Sequence, residues 1–373
     1  MPNVLTIAPY TFLPPRLGGQ KNIALFYTFF APLVTLTCIT TKNNETENIN
    51  GYEILKILSR SRSRYFNLFY FFKVRKIIRQ KKISHLILEH PYYGWLGIFL
   101  KWSCDVKLVV RSQNIESIRF KSIGKWWWKI LWYYERTTHR KANMNFFIQE
   151  NDLNYGIQRF GLSPEKCFIL TYGFELTHAP PRELKKEARE IICKTYEINP
   201  AEKILLFNGA LNYKPNLDAV NNILEKINPL LLSRDDFHYR ILICGSKLPE
   251  EYQQLENYAN RHVIYTGFVD DISLFYKGAD IFINPVMDGG GIKTKVVEAL
   301  GNDLPVISTG SGAIGIPSNI TRGKMIVVAD NDWKSFADEI IRMDESPAVP
   351  TEYFDHFYWG RIAARAAELI NRG

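Results

Sequence analysis

Two lysines and a glutamate follow three consecutive glycines in the stretch Asp280-IFINPVMDGGGIKTKVVEA-Leu300, and that spacing suits chemistry on an anion. Ile281, Phe282 and Ile283 form an apolar run that Asn284 and Pro285 stop, the pattern of a short buried strand. Gly289, Gly290 and Gly291 then let a backbone approach a ligand with no Cβ atom in the way. A helix is expected next, with Ile292, Lys293, Thr294 and Lys295 around its first turn. Its unpaired N–H groups and the positive end of its dipole favour a phosphate there. Lys293 and Lys295 put cations where the dipole alone disfavours them, which points to a bound anion. Glu298, three residues after Lys295, shares that helical face and can turn its carboxylate toward the same pocket. The plainer reading of the same residues is a tight strand-to-helix connection with solvated lysines.

Elements that could position such a site recur along the chain. With 373 residues, 46% of them hydrophobic, the chain can bury two cores, and two domains are expected. Apolar runs at Val4–Ala8, Val34–Ile39, His85–Leu88, Val106–Val110, Asn145–Ile148 and Cys167–Leu170 read as strands spaced for crossover helices, hence a doubly wound parallel sheet. The loop Pro9–Gln20 ends in Gly18-Gly19 before a helical run, at the carboxyl end of a strand where such sheets bind ligands. It lacks the GxGxxG spacing of a dinucleotide fingerprint. The aromatic helix Lys125–Arg140 is expected to lie in a core, with an acceptor platform as the other reading. Gly173–Lys186, carrying Pro180-Pro181, reads as a linker. The strand-and-helix pattern then restarts from Ile204, and Tyr353–Ile370 ends the chain as a helix with one apolar face.

The five cysteines are scattered without a CxxC pair, so neither a disulfide framework nor a structural zinc site is indicated. No signal peptide or membrane-spanning run is evident, and a cytoplasmic setting is expected. Residues 54–82 hold ten Lys or Arg and no acid, interleaved with aromatics. They suit peripheral docking on an anionic membrane surface at the inner face, or equally a two-helix surface element with solvated charges. No nucleic-acid partner is expected.

Asn208-GALNYKPNLDAVNNI-Leu224, Leu242-ICG-Ser246, Tyr265-TGFVDDISLFYKGADIFIN-Pro285, the GGGIKTKVVEA stretch and Leu304-PVISTGSGAIG-Ile316 together resemble the C-terminal domain of retaining GT-B glycosyltransferases of family 4 (glycosyl transferases group 1). The first half is similar more loosely, through Gly18-Gly19, Glu89-His90 and Arg111-SQNIE-Ser117. The resemblance implies two doubly wound, Rossmann-like domains facing a cleft. Residues 1–173 with a returning helix at 354–373 would hold the acceptor, and residues 174–353 the nucleotide-sugar donor. It implies Glu298 on the ribose hydroxyls. Gly18, Gly19, Gly209, Lys214, Asp288, Gly289, Gly290, Gly291, Ile292, Lys293, Thr294 and Lys295 would complete the donor site. Lys295 would stabilise the leaving diphosphate catalytically, with Gln113 as the second catalytic position. The bland readings of Lys214 and Glu298 are a solvated turn residue and a helix-surface carboxylate.

Three positions depart from the family pattern. Gly290 stands where many members carry a second glutamate, with Asp288 as a substitute; Ala210 replaces an arginine; Gln113 replaces a histidine. A glutamine can position a substrate but cannot carry a proton at neutral pH. The expected activity is hexosyl transfer with retention to a glycan or lipid-linked glycan, in cell-surface polysaccharide or glycolipid synthesis. The alternatives are a non-catalytic GT-B nucleotide- or sugar-binding protein, or an NDP-sugar epimerase on the same fold. No cofactor is expected, the nucleotide-sugar being a co-substrate, and no metal.

Overall fold

The computed structural model describes residues 1–15, 18–47, 51–343 and 347–372, so part of the Pro9–Gln20 loop, residues 16–17, lies outside the described residues. The chain forms two compact units, Met1–Glu175 with Gly290–Ile292 and Phe357–Gly373, and Leu176–Gly289 with Lys293–His356.

In the first unit, β1 (Asn3–Ile7), β2 (Thr35–Thr41), β3 (Glu53–Leu58), β4 (His85–Glu89), β5 (Lys107–Ser112), β6 (Met144–Phe147) and β7 (Cys167–Ile169) pair in parallel in the order β3-β2-β1-β4-β5-β6-β7. The connecting helices are α1 (Gly18–Phe30), α2 (Phe69–Gln80), α3 (Gly94–Cys104), α4 (Glu116–Ser122), α5 (Trp128–Lys141) and α6 (Glu150–Tyr155). Central strands such as β4 are buried along their whole length, as a sheet covered on both faces requires. Strand order reverses between β1 and β4, which opens a crevice at their carboxyl ends.

The second unit begins with α7 (Arg182–Thr195). Its sheet contains β8 (Lys203–Asn208), β9 (Tyr239–Cys244), β10 (Val263–Gly267), β11 (Ile281–Asn284), β12 (Val306–Thr309) and β13 (Met325–Val328), again all parallel, in the order β10-β9-β8-β11-β12-β13. Its helices are α8 (Lys214–Asn222), α9 (Asn228–Leu232), α10 (Ile272–Gly278), α11 (Thr294–Gly301), α12 (Ser318–Thr321) and α13 (Trp333–Arg342). Here the order reverses between β8 and β11. The chain ends in α14 (Thr351–Phe357) and α15 (Trp359–Arg372). The last helix packs on α1 of the first unit, with Trp359, Ile362, Ala363, Ala366, Ala367 and Ile370 buried.

Two doubly wound parallel sheets are therefore present as the strand pattern implied, and four local expectations are corrected. Residues 53–58 form β3 rather than helix, because the edge of the sheet beside β2 accepts them. The supposed linker 173–186 is already helical from Arg182, where Ala188, Ile192 and Cys193 give α7 a face to bury, while Phe174 bridges to Tyr358. The C-terminal helix is interrupted between Phe357 and Trp359 rather than continuous. The aromatic helix α5 is not a core element: its buried residues are Glu135, Thr138 and His139, whereas Ile130 and Tyr133 are 66% and 64% exposed, as is Trp126 just before the helix at 82%. The polar side chains win the interior because Glu135 accepts the N–H groups of Glu116 and Ser117 at 2.8 and 2.9 Å. His139 likewise lies between Ser112 and Asn145 at 3.2 and 2.8 Å.

Candidate active site

The site on the second unit grows from the carboxyl ends of β8 and β11, the point where strand order reverses and where open α/β sheets bind ligands. β8 ends at Asn208 and runs into Gly209, which is tight enough that a Cβ would meet the Asn216 amide nitrogen at 2.6 Å. β11 ends at Asn284, and the chain continues through Asp288 to the glycines. Gly289 (φ 98°) and Gly291 (φ 76°) adopt backbone conformations that only glycine reaches without strain. Asp288 is exposed and accepts the Gly289 N–H at 2.6 Å. Gly290, Gly291 and Ile292 then lead to Lys293, the cap of α11, and Thr294 is its first residue.

Both lysines turn inward. The Lys293 ammonium donates to the Gly289 carbonyl at 2.5 Å. Burial pushes its pKa down to about 8, with Asp288 pulling the other way. The Lys295 ammonium donates to the Asn208 carbonyl at 3.1 Å and the Asn216 side-chain oxygen at 3.0 Å, and lies 4.0 Å from the centre of the Phe207 ring. Burial, helped by Lys293, holds its pKa well below that of an ordinary lysine. Among the described residues no carboxylate pairs with Lys295, whose ammonium lies in a poorly solvated pocket at a helix N-terminus. An arriving anion would favour its charged form.

Glu298 lies one turn further along α11, where its carboxylate accepts the Tyr276 hydroxyl at 3.4 Å; that hydroxyl in turn accepts the Asn208 amide at 3.0 Å. Glu298, Lys295, Asn208 and Asn216 thus form one connected polar group. Lys214 stands at its margin, with its side chain 81% exposed and paired with Asp218 at 2.5 Å. Asp218 raises its pKa first and Asp288 adds to the shift.

The first unit brings Gln113 and Gly19 together: the Gln113 amide donates to the Gly19 carbonyl at 3.3 Å, and a Cβ on Gly19 would meet the Gln113 side-chain oxygen at 3.1 Å. Gly18 opens α1 beside them. At the reversal between β1 and β4, His90 (φ 66°) reaches the Tyr10 hydroxyl at 3.1 Å and the Glu116 carboxylate at 3.3 Å, while Arg119 pairs with Glu116 at 2.5 Å. Burial alone would raise the Glu116 pKa, but His90 and Arg119 outweigh it and hold it at about 2.

Sequence reasoning did not single out Asn208, Asn216 and Tyr276, or Tyr10, Glu116 and Arg119. The first two sit inside the quoted Asn208–Leu224 motif, where an asparagine at a strand end beside glycine was a usable signal. Tyr276 and Glu116 likewise lie in the quoted Tyr265–Pro285 and Arg111–Ser117 segments, whereas Tyr10 and Arg119 carry no spacing signal, because the fold alone brings them to the site. Among the described residues no group of three or more His, Cys, Asp or Glu side chains is placed to hold a metal ion.

Residues 202–345 match the family model described as "Glycosyl transferases group 1". The second unit carries a glycosyl transferases group 1 domain. That group 1 domain includes β8, the glycine loop, α11 and every residue of the lysine pocket. An uncharacterized 44.6 kDa protein in the cps region of Klebsiella pneumoniae is 24% identical over 290 residues, covering 74% of this chain and 69% of that protein. Sucrose-phosphate synthase from Thermosynechococcus elongatus superposes with a TM-score of 0.74 at 13% identity, covering 100% of this chain and 99% of the other. Anabaena Alr3699/HepE in complex with UDP does so with a TM-score of 0.74 at 12% identity, covering 100% of both chains. At such identities the likeness is one of fold, and the fold is GT-B, with two Rossmann-like parallel-sheet domains.

Proposed function

We propose that this chain is a retaining hexosyl-type glycosyltransferase, which moves a sugar from a nucleotide-sugar donor to a glycan or lipid-linked glycan in cell-surface polysaccharide or glycolipid synthesis. The observation that carries the reading is Lys295, a mostly buried lysine that pairs with no carboxylate among the described residues, beside Lys293 at the N-terminus of α11 in a group 1 domain. A nucleoside diphosphate supplies the missing charge. As the bond from sugar to phosphate breaks, negative charge builds on the leaving diphosphate, and preorganised cations and N–H groups aimed there lower the barrier. Glu298 accepts the ribose hydroxyls, and Gln113 orients the transferred sugar rather than moving a proton. The acceptor is held by the first unit. The UDP bound by the Anabaena protein and the cps region of the Klebsiella relative support a nucleotide-sugar donor and a surface-glycan role.

Thermal unfolding with UDP, GDP, ADP and CMP tests the donor site, because a ligand that binds only the folded chain raises the midpoint. One nucleotide should stabilise the wild type and lose its effect in Glu298→Ala; stabilisation by none would sink the donor assignment. The anomeric configuration of the product, read by NMR, then decides retention. A nucleotide-binding protein without turnover is the second reading, favoured by the Gln113 amide being committed to the Gly19 carbonyl. Donor hydrolysis no faster than in Lys295→Ala would establish it.

A further inference from the structure

A cavity of about 350 Å³ lies in the first unit, lined by Tyr10, Thr11, Gln20, Thr41, Asn43, Arg60 and Arg64. Tyr10 and Thr11 follow β1, Thr41 ends β2 and Gln20 lies in the first turn of α1. Arg60 and Arg64 come from the connection after β3. The cavity is therefore at the carboxyl ends of parallel strands, the side on which such sheets bind ligands. Its lining holds hydroxyls, amides and two guanidinium groups, and no carboxylate.

The charge of Arg64 is fixed and uncompensated. Its Nε donates to the Pro9 carbonyl at 3.1 Å, one terminal nitrogen to the carbonyls of Arg60 and Ser61 at 2.9 and 3.2 Å, and the other to the Tyr65 hydroxyl at 3.1 Å. The Tyr65 ring also lies under the guanidinium at 4.7 Å. Every partner is neutral, and one of its five N–H groups is left over. Arg60 is exposed and, among the described residues, neither arginine pairs with a carboxylate, and residues 54–82 contain none. The Gln20 amide is held by the Thr11 carbonyl at 3.0 Å, and the Thr11 and Thr41 hydroxyls lie 3.3 Å apart. A rigid arginine fork, a second arginine and converging neutral donors match the several oxygens of a phosphoryl group.

We propose that this cavity binds a phosphoryl group of the acceptor, so that the acceptor is a phosphorylated sugar or a lipid phosphate. The acceptor assignment rests on the function proposed above; phosphate recognition by the cavity does not. Binding of radiolabelled inorganic phosphate, measured by equilibrium dialysis with UDP saturating the donor lysines, tests it. Phosphate should bind the wild type and Arg62→Gln alike, since Arg62 is exposed but does not line the cavity, and should bind at least fivefold more weakly to Arg60→Gln. Among the described residues the exposed Arg60 side chain makes no hydrogen bond or ion pair, so this variant should keep its structure.

A second arm follows the labelling of Arg60 by phenylglyoxal, mapped by mass spectrometry against exposed Arg365. Protection by glucose 6-phosphate identifies a sugar phosphate, whereas protection only by phosphatidic acid vesicles, and not by phosphatidylcholine, identifies a lipid phosphate. Equal weakening in Arg62→Gln and Arg60→Gln would show diffuse surface charge and overturn the proposal, as would protection by neither probe. If no nucleotide stabilises the protein while phosphate still depends on Arg60, the donor assignment fails and the phosphate subsite stands.

Discussion

Proton uptake on nucleotide binding follows from the lysine pocket and tests it without a known sugar or acceptor. Burial puts the Lys293 pKa at about 8, so near pH 8 the ammonium is half protonated before ligand arrives. A bound diphosphate favours the charged form and draws a proton. Between pH 7 and pH 9 the protonated fraction falls from about 0.9 to about 0.1, so affinity should drop roughly tenfold, or about 1.4 kcal/mol, from this group alone. Phosphate ionisation near pH ~6 is complete over that range and adds little. Isothermal titration at pH 8 with the stabilising nucleotide, in two buffers of different ionisation heat, should show uptake of about half a proton from Lys293 alone, with Lys295 adding to it. Lys293→Met should lose that share. A Kd unchanged from pH 7 to pH 9, together with heats independent of buffer, would refute the argument. The same shift has a sign for stability: the unfolded chain binds more protons between about pH 8 and the free-lysine value of 10.5. Without ligand, therefore, stability should rise with pH across that window.

Other outcomes follow from the same structure. Lys295→Met should weaken nucleotide binding by about 1.5 to 3 kcal/mol, the range for a hydrogen bond to a charged group, as titration calorimetry would measure. In Gly209→Ala the new Cβ would lie 2.6 Å from the Asn216 amide, so Asn216 must turn away from Lys295. Nucleotide affinity should then fall and urea unfolding should show a loss of about 1–3 kcal/mol. Burial holds His139 neutral and lowers its pKa to about 4, against the ordinary 6.5 of a histidine. The unfolded chain therefore takes up the proton first, and about 3 kcal/mol of stability should be lost as pH falls from 6.5 to 4, measurable by urea unfolding. Phe66, Phe69, Phe72, Trp102 and Trp126 are all at least 65% exposed, and residues 54–82 carry ten basic residues. Anionic vesicles should accordingly retain the protein at low salt, and replacing Lys73 and Lys76 with glutamine should weaken retention by about 2 kcal/mol.

The two doubly wound sheets were legible in the sequence, because each buried strand is a short apolar run bounded by turn residues and followed by a helix-length segment. The strand, glycine turn and helix start of 281–298 were equally legible, because their residues are local in the chain. β3 was not legible, since the Glu-Ile-Leu-Lys-Ile-Leu run of Glu53–Leu58 lacks strand alternation and becomes a strand only where the edge of β2 is there to pair with it. Sequence reasoning misplaced α5 because aromatic content measures apolar surface, whereas the interior went to Glu135 and His139, whose partners come from α4, β5 and β6. Lys295 could be counted in the sequence, but its burial could not. That burial, which together with Lys293 lowers its pKa, arises because the sheet brings Phe207, Asn208 and Asn216, 79 to 88 positions earlier, around the ammonium. The Arg60 and Arg64 cavity was equally hidden, because its walls come from the exits of β1, β2 and β3, and only parallel pairing brings those exits to one edge.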